Sequence, residues 1–517
     1  MPDFTPKFRN YVEDVLDGLS DVPGREVVVS GDRRITADEF RSMVYRTARA
    51  LRSCGVGRGT TVTLLCGNLP ETMAVRYAVN LLGGYYNHLY NRLAADVQAK
   101  MIRDVETYAL IVDPRLAARA AELVEAVPVE RVLLLGPVTE DAPALGEDLL
   151  AIAERQSDEP LPSSARPGDL CFIRHSGGTT GHPKGIRSTF GRMQGLRLLG
   201  EVFERADAPR DLVCTPLSHA GGFIADSTLA NGGTVVLHYG FDPGEILATI
   251  ERERITNMWV LPPLLYQVLD HPDADRADTS SLRQVTYGGT PSSPVRIADA
   301  VRRFGRVFRH GYGQFEVGLI SLLPADEHDP DRLDVLRTAG RVLPGVRVEI
   351  RDPDGKALPP GSLGEICVQA EYVMEGYWKD PELTAQVLRD GWVHTGDVGR
   401  LDEDGRLTVV DRIKDMIAVV GGHVYTTELE EFLNTHPGVR QSAVYGVKGE
   451  GGHERVHATL VLEAGSETTA DDLRAWVERG LGAMYVPDRV DFTDALPLTG
   501  VGKPDKKELR RQAEAAG

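Results

Sequence analysis

Cysteine is scarce in this chain of 517 residues: five stand at positions 54, 66, 171, 214 and 367, with no C-x-x-C pair and no Cys/His metal spacing. Odd in number and far apart, they argue against a disulfide framework or a zinc site. Positive charge is also short, because 58 Lys and Arg face 76 Asp and Glu for a net charge of −18, and no basic patch offsets it. Phosphate polymers and anionic lipid are repelled at long range by such a balance, which speaks against a nucleic-acid or membrane-surface role. Small anionic ligands need only local donors. Apolar runs of the membrane-spanning length of about 18 residues are absent. Residues 1–10 carry Asp3, Lys7 and Arg9 without an apolar core, so the expected protein is cytoplasmic, with no signal peptide and no integral membrane association. A composition that is 42% hydrophobic excludes disorder and low-complexity scaffolds, and no internal repeat is visible.

What is present is alternation. Over residues 26–135 short β-rich runs alternate with amphipathic stretches. Thr36 and Glu39 form a capping box ahead of a helix whose apolar face holds Phe40, Met43, Val44, Ala48 and Leu51. Residues 61–66 read as a buried strand, Asn68 and Pro70 open the next helix, and residues 109–112 and 132–135 read as further strands. Repeated strand and helix predict a parallel sheet covered on both faces. Residues 137–166, rich in Pro, Asp, Glu and Ser, read as a surface connection, with a short helix at 149–153. Alternation resumes from Gly168 to about Gly318. Residues 346–368 then read as strands around the turn Asp352-Pro353-Asp354-Gly355, a smaller β-rich subdomain. After Lys414 come a helix at 427–436, strands near 442–447 and 456–463, and a helix opening at Thr469, enough for a small α+β domain.

The sharpest chemical signal is His175-Ser176-Gly177-Gly178-Thr179-Thr180-Gly181-His182-Pro183-Lys184-Gly185, directly after the strand candidate 170–173. Glycines let backbone N–H groups turn inward, and the hydroxyls and one ammonium add donors for phosphate oxygens. A solvated turn accounts for the Gly and Thr enrichment but not for the lone lysine. It is no Walker loop, since Lys184 follows proline and precedes glycine.

With this loop the chain resembles the superfamily of acyl-CoA synthetases, nonribosomal-peptide adenylation domains and luciferases, over nearly its whole length and in order. Tyr287-Gly288-Gly289-Thr290-Pro291 resembles the adenine-pocket loop, and Gly311-Tyr312-Gly313-Gln314-Phe315-Glu316 the Y-G-x-T-E segment. Gly364-Glu365, Gly376-Tyr377-Trp378 and Gly391-Trp392-Val393-His394-Thr395-Gly396-Asp397 are similar to the blocks that follow. Asp411-Arg412-Ile413-Lys414-Asp415 is similar to the hinge block, and Pro497-Leu498-Thr499-Gly500-Val501-Gly502-Lys503 to the terminal lysine block.

The resemblance implies an α/β fold: a large domain, residues 1–413, of parallel-sheet subdomains plus a β-rich subdomain, and a small mobile α+β cap, residues 414–517. It implies an ATP-dependent acid–thiol ligase that joins a carboxylic acid to AMP and then passes the acyl group to coenzyme A. ATP/AMP, Mg²⁺ and coenzyme A are the implied cofactors. Asp397 is expected to accept the ribose hydroxyls with Arg412 assisting, Tyr312 to offer its ring to adenine, and Glu316 to hold Mg²⁺. Lys503 is expected between substrate carboxylate and α-phosphate, where charge accumulates. Lys414 is the implied hinge. Gly421 and Gly422 read equally as lining for the pantetheine arm or as a plain turn.

Two features bear on the substrate. The family's threonine in Y-G-x-T-E is Phe315 here, which cannot donate to the α-phosphate. Either Phe315 turns to the acyl group and a backbone N–H substitutes, or the protein mainly forms thioesters from acyl-adenylates made elsewhere. In Pro216-Leu217-Ser218-His219-Ala220-Gly221-Gly222-Phe223 no acid stands where amino-acid-activating relatives pair the α-ammonium, so aryl, alicyclic or acyl acids are expected. The small residues leave room for a bulky group, with Val260, Leu261, Val317 and Leu319 as apolar walls and His219 as a packing or gating residue. A carrier-protein thiol is the alternative acceptor, and a non-catalytic binder of acyl-adenylates the alternative class. Both monomer and homodimer remain open.

Overall fold

The computed structural model describes residues 8–137, 145–175, 183–193, 209–371, 373–419, 422–448, 454–499 and 504–516. The chain divides into two compact units, one comprising Met1–Trp259, Arg276–Val285 and Glu371–Ala385, the other Val260–Asp275, Thr286–Ala370 and Gln386–Gly517.

In the first unit a sheet runs in the order Glu147–Asp148, Arg131–Leu134, Ala109–Val112, Thr61–Leu65, Tyr85–His88, Leu170–His175, Gly185–Thr189. Its neighbours pair in parallel except the last two, which are antiparallel. Strand Thr61–Leu65 is buried at every position, as a strand covered on both faces must be. Strands Arg210–Val213, Thr234–Leu237 and Glu26–Ser30 form a second parallel array, edged by antiparallel Arg33–Thr36. The capping box of Thr36 and Glu39 opens helix Ala37–Ser53, which buries Phe40, Val44, Ala48 and Leu51 of the expected stripe, leaves Met43 part-buried, and buries Tyr45 and Ala50 as well. Helix Pro70–Leu81 is buried all round.

Two expectations change here. Asn68 does not cap that helix: Leu69 occupies the cap without a side-chain bond, and Asn68 instead donates to the Thr215 and His238 carbonyls and accepts the Leu217 N–H, tying two loops together. Residues 145–154 are more than a connection, since Glu147–Asp148 pairs with Leu133 and Leu134 and Asp148 caps helix Leu149–Glu154.

In the second unit Phe308–Gln314, Gly318–Leu323 and Arg341–Val342 form an antiparallel meander. Strands Arg347–Arg351, Gly364–Gln369, Trp392–Leu401, Leu388–Arg389 and Leu407–Arg412 make an antiparallel β-rich sheet, as the turn at 352–355 predicts. The C-terminal part packs helices Thr426–Leu433 and Ala470–Leu481 on strands Val439–Lys448, Glu454–Leu462 and Arg489–Phe492, with its own core of Leu429, Leu433, Val444, Leu460 and Leu473. Among the described residues no helix is long and apolar enough to cross a membrane. All five cysteines are buried free thiols.

Candidate active site

The Asp397 carboxylate is the best-defined polar centre. It lies on strand Trp392–Leu401, in register with Arg412 on the neighbouring strand, and is only 3% exposed. Arg412 Nε donates to Oδ1 at 3.1 Å, while Oδ2 accepts from the Tyr312 hydroxyl at 2.7 Å and Gln314 Nε2 at 2.6 Å. Burial, and then the adjoining carboxylate, push the Tyr312 hydroxyl well above its ordinary pKa, so it stays a donor. A carboxylate offers about four lone-pair positions, of which these donors use three. A sugar diol therefore finds one free position and takes a second by displacing one of the three.

The turn before Asp397 is held as firmly. Gly396 has φ 69°, a left-handed conformation that favours glycine, and its N–H donates to Glu365 Oε1 at 3.1 Å. The other oxygen of Glu365 lies 2.7 Å from His394 Nδ1, and Cys367 Sγ is 3.4 Å from the same nitrogen. Thr395 donates to the Ile366 carbonyl at 2.7 Å and accepts the Asp397 N–H at 3.0 Å. The block Gly364-Glu365 thus braces the block that carries Asp397.

Tyr312 and Gln314 end strand Phe308–Gln314, and the tight turn Phe315-Glu316-Val317 returns to Gly318, with Val317 N–H bonded to the Gln314 carbonyl at 3.2 Å. Phe315 and Glu316 are part-buried on that turn, and Val317 is buried. A Cβ on Gly288 would lie 2.1 Å from the Gly311 carbonyl oxygen, so the Tyr287–Pro291 loop and the Tyr312 strand approach as only glycine allows. Gly289 is exposed and Thr290 part-buried beyond it.

In the first unit Ser176, Gly177, Gly178, Thr179, Thr180, Gly181 and His182 lie outside the described residues. At the loop's entrance His175 Nδ1 is 3.0 Å from Asn87 Oδ1, and burial pushes this imidazole down to about 4, so it is neutral. At its exit Lys184 Nζ sits 5.6 Å from the centre of the Tyr377 ring. The Gly376-Tyr377-Trp378 block clamps the return strand: Arg187 N–H bonds the Gly376 carbonyl at 3.0 Å, and Trp378 N–H bonds the Gly185 carbonyl at 2.7 Å. Glu375 pairs with Arg192 at 2.6 Å.

His219 precedes helix Ala220–Ala230 and meets the Tyr90 ring edge-on at 5.5 Å. The glycines that follow are used by the protein's own atoms. A Cβ on Gly221 would lie 2.4 Å from the Thr215 carbonyl, and one on Gly222 2.4 Å from the Leu217 carbonyl and 3.1 Å from Arg76 Nη2. Room at these two positions is therefore taken by backbone and by Arg76, a correction to the expected vacancy for an acyl group. Gly222→Ala is expected to destabilise the fold by about 1–3 kcal/mol through overpacking, read as a lowered midpoint in thermal unfolding. Phe223 is part-buried, and Val260 is fully buried.

The AMP-binding enzyme family matches residues 19–378, and the AMP-binding enzyme C-terminal domain matches residues 428–503. The chain belongs to the AMP-binding enzyme family. It is 36% identical to a medium/long-chain-fatty-acid–CoA ligase of Mycobacterium tuberculosis, over 95% of this chain and 88% of the relative. It is 36% identical to a feruloyl-CoA synthase of Amycolatopsis, over 95% and 96%. Among solved structures, the amide bond synthetase McbA from Marinactinospora thermotolerans is 39% identical, with a TM-score of 0.88, covering 97% of this chain and 99% of that one. The family's fold, a large α/β domain with parallel sheets followed by a small C-terminal domain, is that of this chain.

The remaining family positions of this AMP-binding enzyme lie toward the C-terminus. Lys414 is exposed in the turn after strand Leu407–Arg412. Its neighbour Asp411 caps helix Thr426–Leu433, accepting the Thr426 and Thr427 N–H groups. Gly421 lies outside the described residues, and a Cβ on Gly422 would lie 3.0 Å from Met484 Sδ. Lys503 also lies outside them. On either side of it, Leu498 pairs with Pro504 and the Asp505 N–H donates to the Pro497 carbonyl at 2.7 Å. Lys506, next along, buries its ammonium 2.8 Å from Glu430 and 2.8 Å from Thr426 Oγ1.

Sequence reasoning missed Gln314, which reaches both Asp397 and the Thr395 carbonyl, at 2.6 and 3.0 Å. Its signal was an amide at the variable place of Y-G-x-T-E. In the sequence Glu365 stands out only as part of a block, although its two oxygens meet the Gly396 N–H and His394 Nδ1 and so hold the Asp397 turn.

Proposed function

We propose that the protein is an acyl- or aryl-CoA ligase: a carboxylate oxygen attacks the α-phosphorus of ATP, pyrophosphate leaves, and the coenzyme A thiol then displaces AMP from the acyl-adenylate. Adenylation supplies the leaving group that a carboxylate lacks. The observation that carries the reading is the buried Asp397 with its donors Tyr312, Gln314 and Arg412, set in a chain that matches the family at both ends. In this reading Asp397 and Arg412 take the ribose, and Tyr312 with the Gly288-Gly289-Thr290-Pro291 loop takes adenine. Residues 176–181 with Lys184 take the phosphates, and Lys503 sits between carboxylate and α-phosphate. Glu316 would hold Mg²⁺, a hard cation suited to a carboxylate and phosphate oxygens, which neutralises charge on the triphosphate. Residues 1–413 and 414–517 form the two domains, with Lys414 as hinge and Gly421 and Gly422 on the face that receives the pantetheine arm. Coenzyme A is the acceptor named for the fatty-acid and feruloyl relatives, and supports a thiol here.

A second acceptor is favoured by one observation, the 39% identity to an amide bond synthetase. An amine would attack the same acyl carbon, lose a proton and release AMP. Incubation with ATP, a panel of aryl, alicyclic and acyl acids, and either coenzyme A or amines separates the two. Thioester formation outpacing amide formation is the expected result. Absence of AMP with every acid, and of product from supplied acyl-adenylates, would overturn both.

Phe315 makes a narrower test. Wild-type protein is expected to catalyse carboxylate-dependent pyrophosphate exchange, with Phe315→Thr shifting acid preference rather than switching exchange on. The missing hydroxyl bond amounts to about 1.5–3 kcal/mol, or roughly ten- to hundred-fold in rate. Negligible exchange in wild type and its recovery in Phe315→Thr would instead assign the protein to thioester formation alone.

A further inference from the structure

Strands Gly364–Gln369 and Trp392–Leu401 place three chemically different ligands on one face of the β-rich sheet. Glu365 and Cys367 stand two residues apart, so their side chains leave the strand on the same side, and Cys367 lies directly opposite His394 in the antiparallel register. Nδ1 of His394 is the meeting point. Glu365 Oε2 lies 2.7 Å from it and Cys367 Sγ 3.4 Å, and the ligand atoms of all three residues fall within 4.8 Å of one another. Among the described residues no other three His, Cys, Asp or Glu side chains come this close. Spacing along the chain hides the set, since 27 residues separate Cys367 from His394 and only the sheet register joins them.

The distances suit a small tetrahedral ion. Zn²⁺ takes sulfur at about 2.3 Å, imidazole nitrogen at about 2.0–2.1 Å and carboxylate oxygen at about 2.0–2.2 Å, which sets ligand-to-ligand edges of about 3.3–3.6 Å. The nitrogen–sulfur edge already has that length. The nitrogen–oxygen edge has to open by roughly 0.6 Å, as one hydrogen bond gives way to two coordinate bonds. Charge balances as well, because Zn²⁺ with one carboxylate and one thiolate is neutral. Of the other charged groups that act on Cys367, Arg351 and Glu349 cancel through bonds of 3.0 and 2.8 Å, leaving Arg389. Selectivity comes from the thiol. Burial, and then the Glu365 carboxylate, push Cys367 up to about 12, so it keeps its proton until a metal that binds thiolate strongly displaces it. Zn²⁺ does so, whereas Mg²⁺ and Ca²⁺ take oxygen ligands.

We propose that Glu365, Cys367 and His394 form a binding site for Zn²⁺ or a similar thiophilic transition ion, with Glu365 Oε2, the Cys367 thiolate and His394 Nδ1 as its protein ligands. The thiol proton leaves to solvent, and the imidazole carries its proton on Nε2. The Glu365 side chain is 18% exposed and that of His394 7%, so the ion enters from the carboxylate side and takes water as its fourth ligand. Glu365 Oε1 keeps the Gly396 N–H, an outer contact that orients the carboxylate. An ion held here braces the Asp397 turn from behind, and it is separate from the Mg²⁺ read at Glu316.

The whole chain, stripped with a chelator, is titrated with Zn²⁺ by calorimetry and with Co²⁺ by absorbance, Mg²⁺ serving as the comparison. One Zn²⁺ per chain is expected to bind more tightly than Mg²⁺, and Co²⁺ to give the thiolate-to-metal charge-transfer band in the near ultraviolet. Cys367→Ser should abolish that band and weaken Zn²⁺ by more than about a hundred-fold, since even outer contacts of a metal ligand are worth about 10–100-fold. His394→Gln should weaken Zn²⁺ comparably, with circular dichroism confirming that each variant is folded. Zn²⁺ should also raise the unfolding midpoint of wild type and leave that of Cys367→Ser unmoved. Survival of the band in Cys367→Ser would place the thiolate at another cysteine and overturn the site. Zn²⁺ binding no tighter than Mg²⁺, or equally tight in wild type and both variants, would overturn it too.

Discussion

Lys503→Ala is expected to lower carboxylate-dependent pyrophosphate exchange by roughly a thousand-fold while leaving thioester formation from supplied acyl-adenylate within about tenfold of wild type. As carboxylate oxygen approaches phosphorus, two anionic groups are forced together, and a cation between them stabilises that approach more than the separated reactants. On the role proposed for Lys503, the bond it helps to form is already made once the acyl-adenylate exists. In the proposed reading the second step uses the thiol and a different face of the C-terminal domain, so one substitution should split the half-reactions. Exchange unchanged in the variant would move the role to another cation, and equal loss in both half-reactions would point to a damaged fold.

Local signals were legible in the sequence because local rules produce them. Thr36 with Glu39 closes the capping box where the spacing puts it, a helix opens after Thr469 as expected, and the buried run at 61–65 is a central strand. The ribose role proposed for Asp397 comes only through the family resemblance, since a Gly-Asp pair alone reads as a turn. The partners of Asp397 were not legible, because Tyr312 and Gln314 reach it across more than 80 residues of sequence. The same holds for Asn68, whose amide ties loops at 215–217 and 238 rather than capping its own helix. Gly222 shows the converse error. A missing side chain reads as free space, but the backbone at Leu217 and the Arg76 guanidinium already fill it. Helix Pro70–Leu81 has no polar face, and it tolerates Glu71, Arg76 and Asn80 only because each is paired, to Arg33, to Asp226, and to the Gly84 and Cys171 carbonyls.

Asp397→Ala should behave unlike the lysine variant, raising KM for ATP by about a hundred-fold and weakening both half-reactions. Two hydrogen bonds from ribose to a charged acceptor, at about 1.5–3 kcal/mol each, set that scale, reduced by the protein donors the diol must displace. In the proposed reading Asp397 holds the adenylate's ribose in the second step as in the first, so its loss should not be confined to pyrophosphate exchange. Removal of the carboxylate also leaves Tyr312, Gln314 and Arg412 without their shared acceptor. Asp397→Asn keeps one oxygen for Tyr312 and Gln314 but turns an N–H₂ toward Arg412, and should fall between wild type and alanine. Glu365→Gln tests the support beneath. It keeps an oxygen for the Gly396 N–H but turns an N–H₂ toward His394 Nδ1, which must then switch from donor to acceptor, and KM for ATP should rise several-fold with little change in kcat. Equilibrium binding of ATP by calorimetry, set beside exchange kinetics, checks the series. An Asp397→Ala protein that binds ATP like wild type would remove this carboxylate from the nucleotide site and with it the main support for the ligase reading.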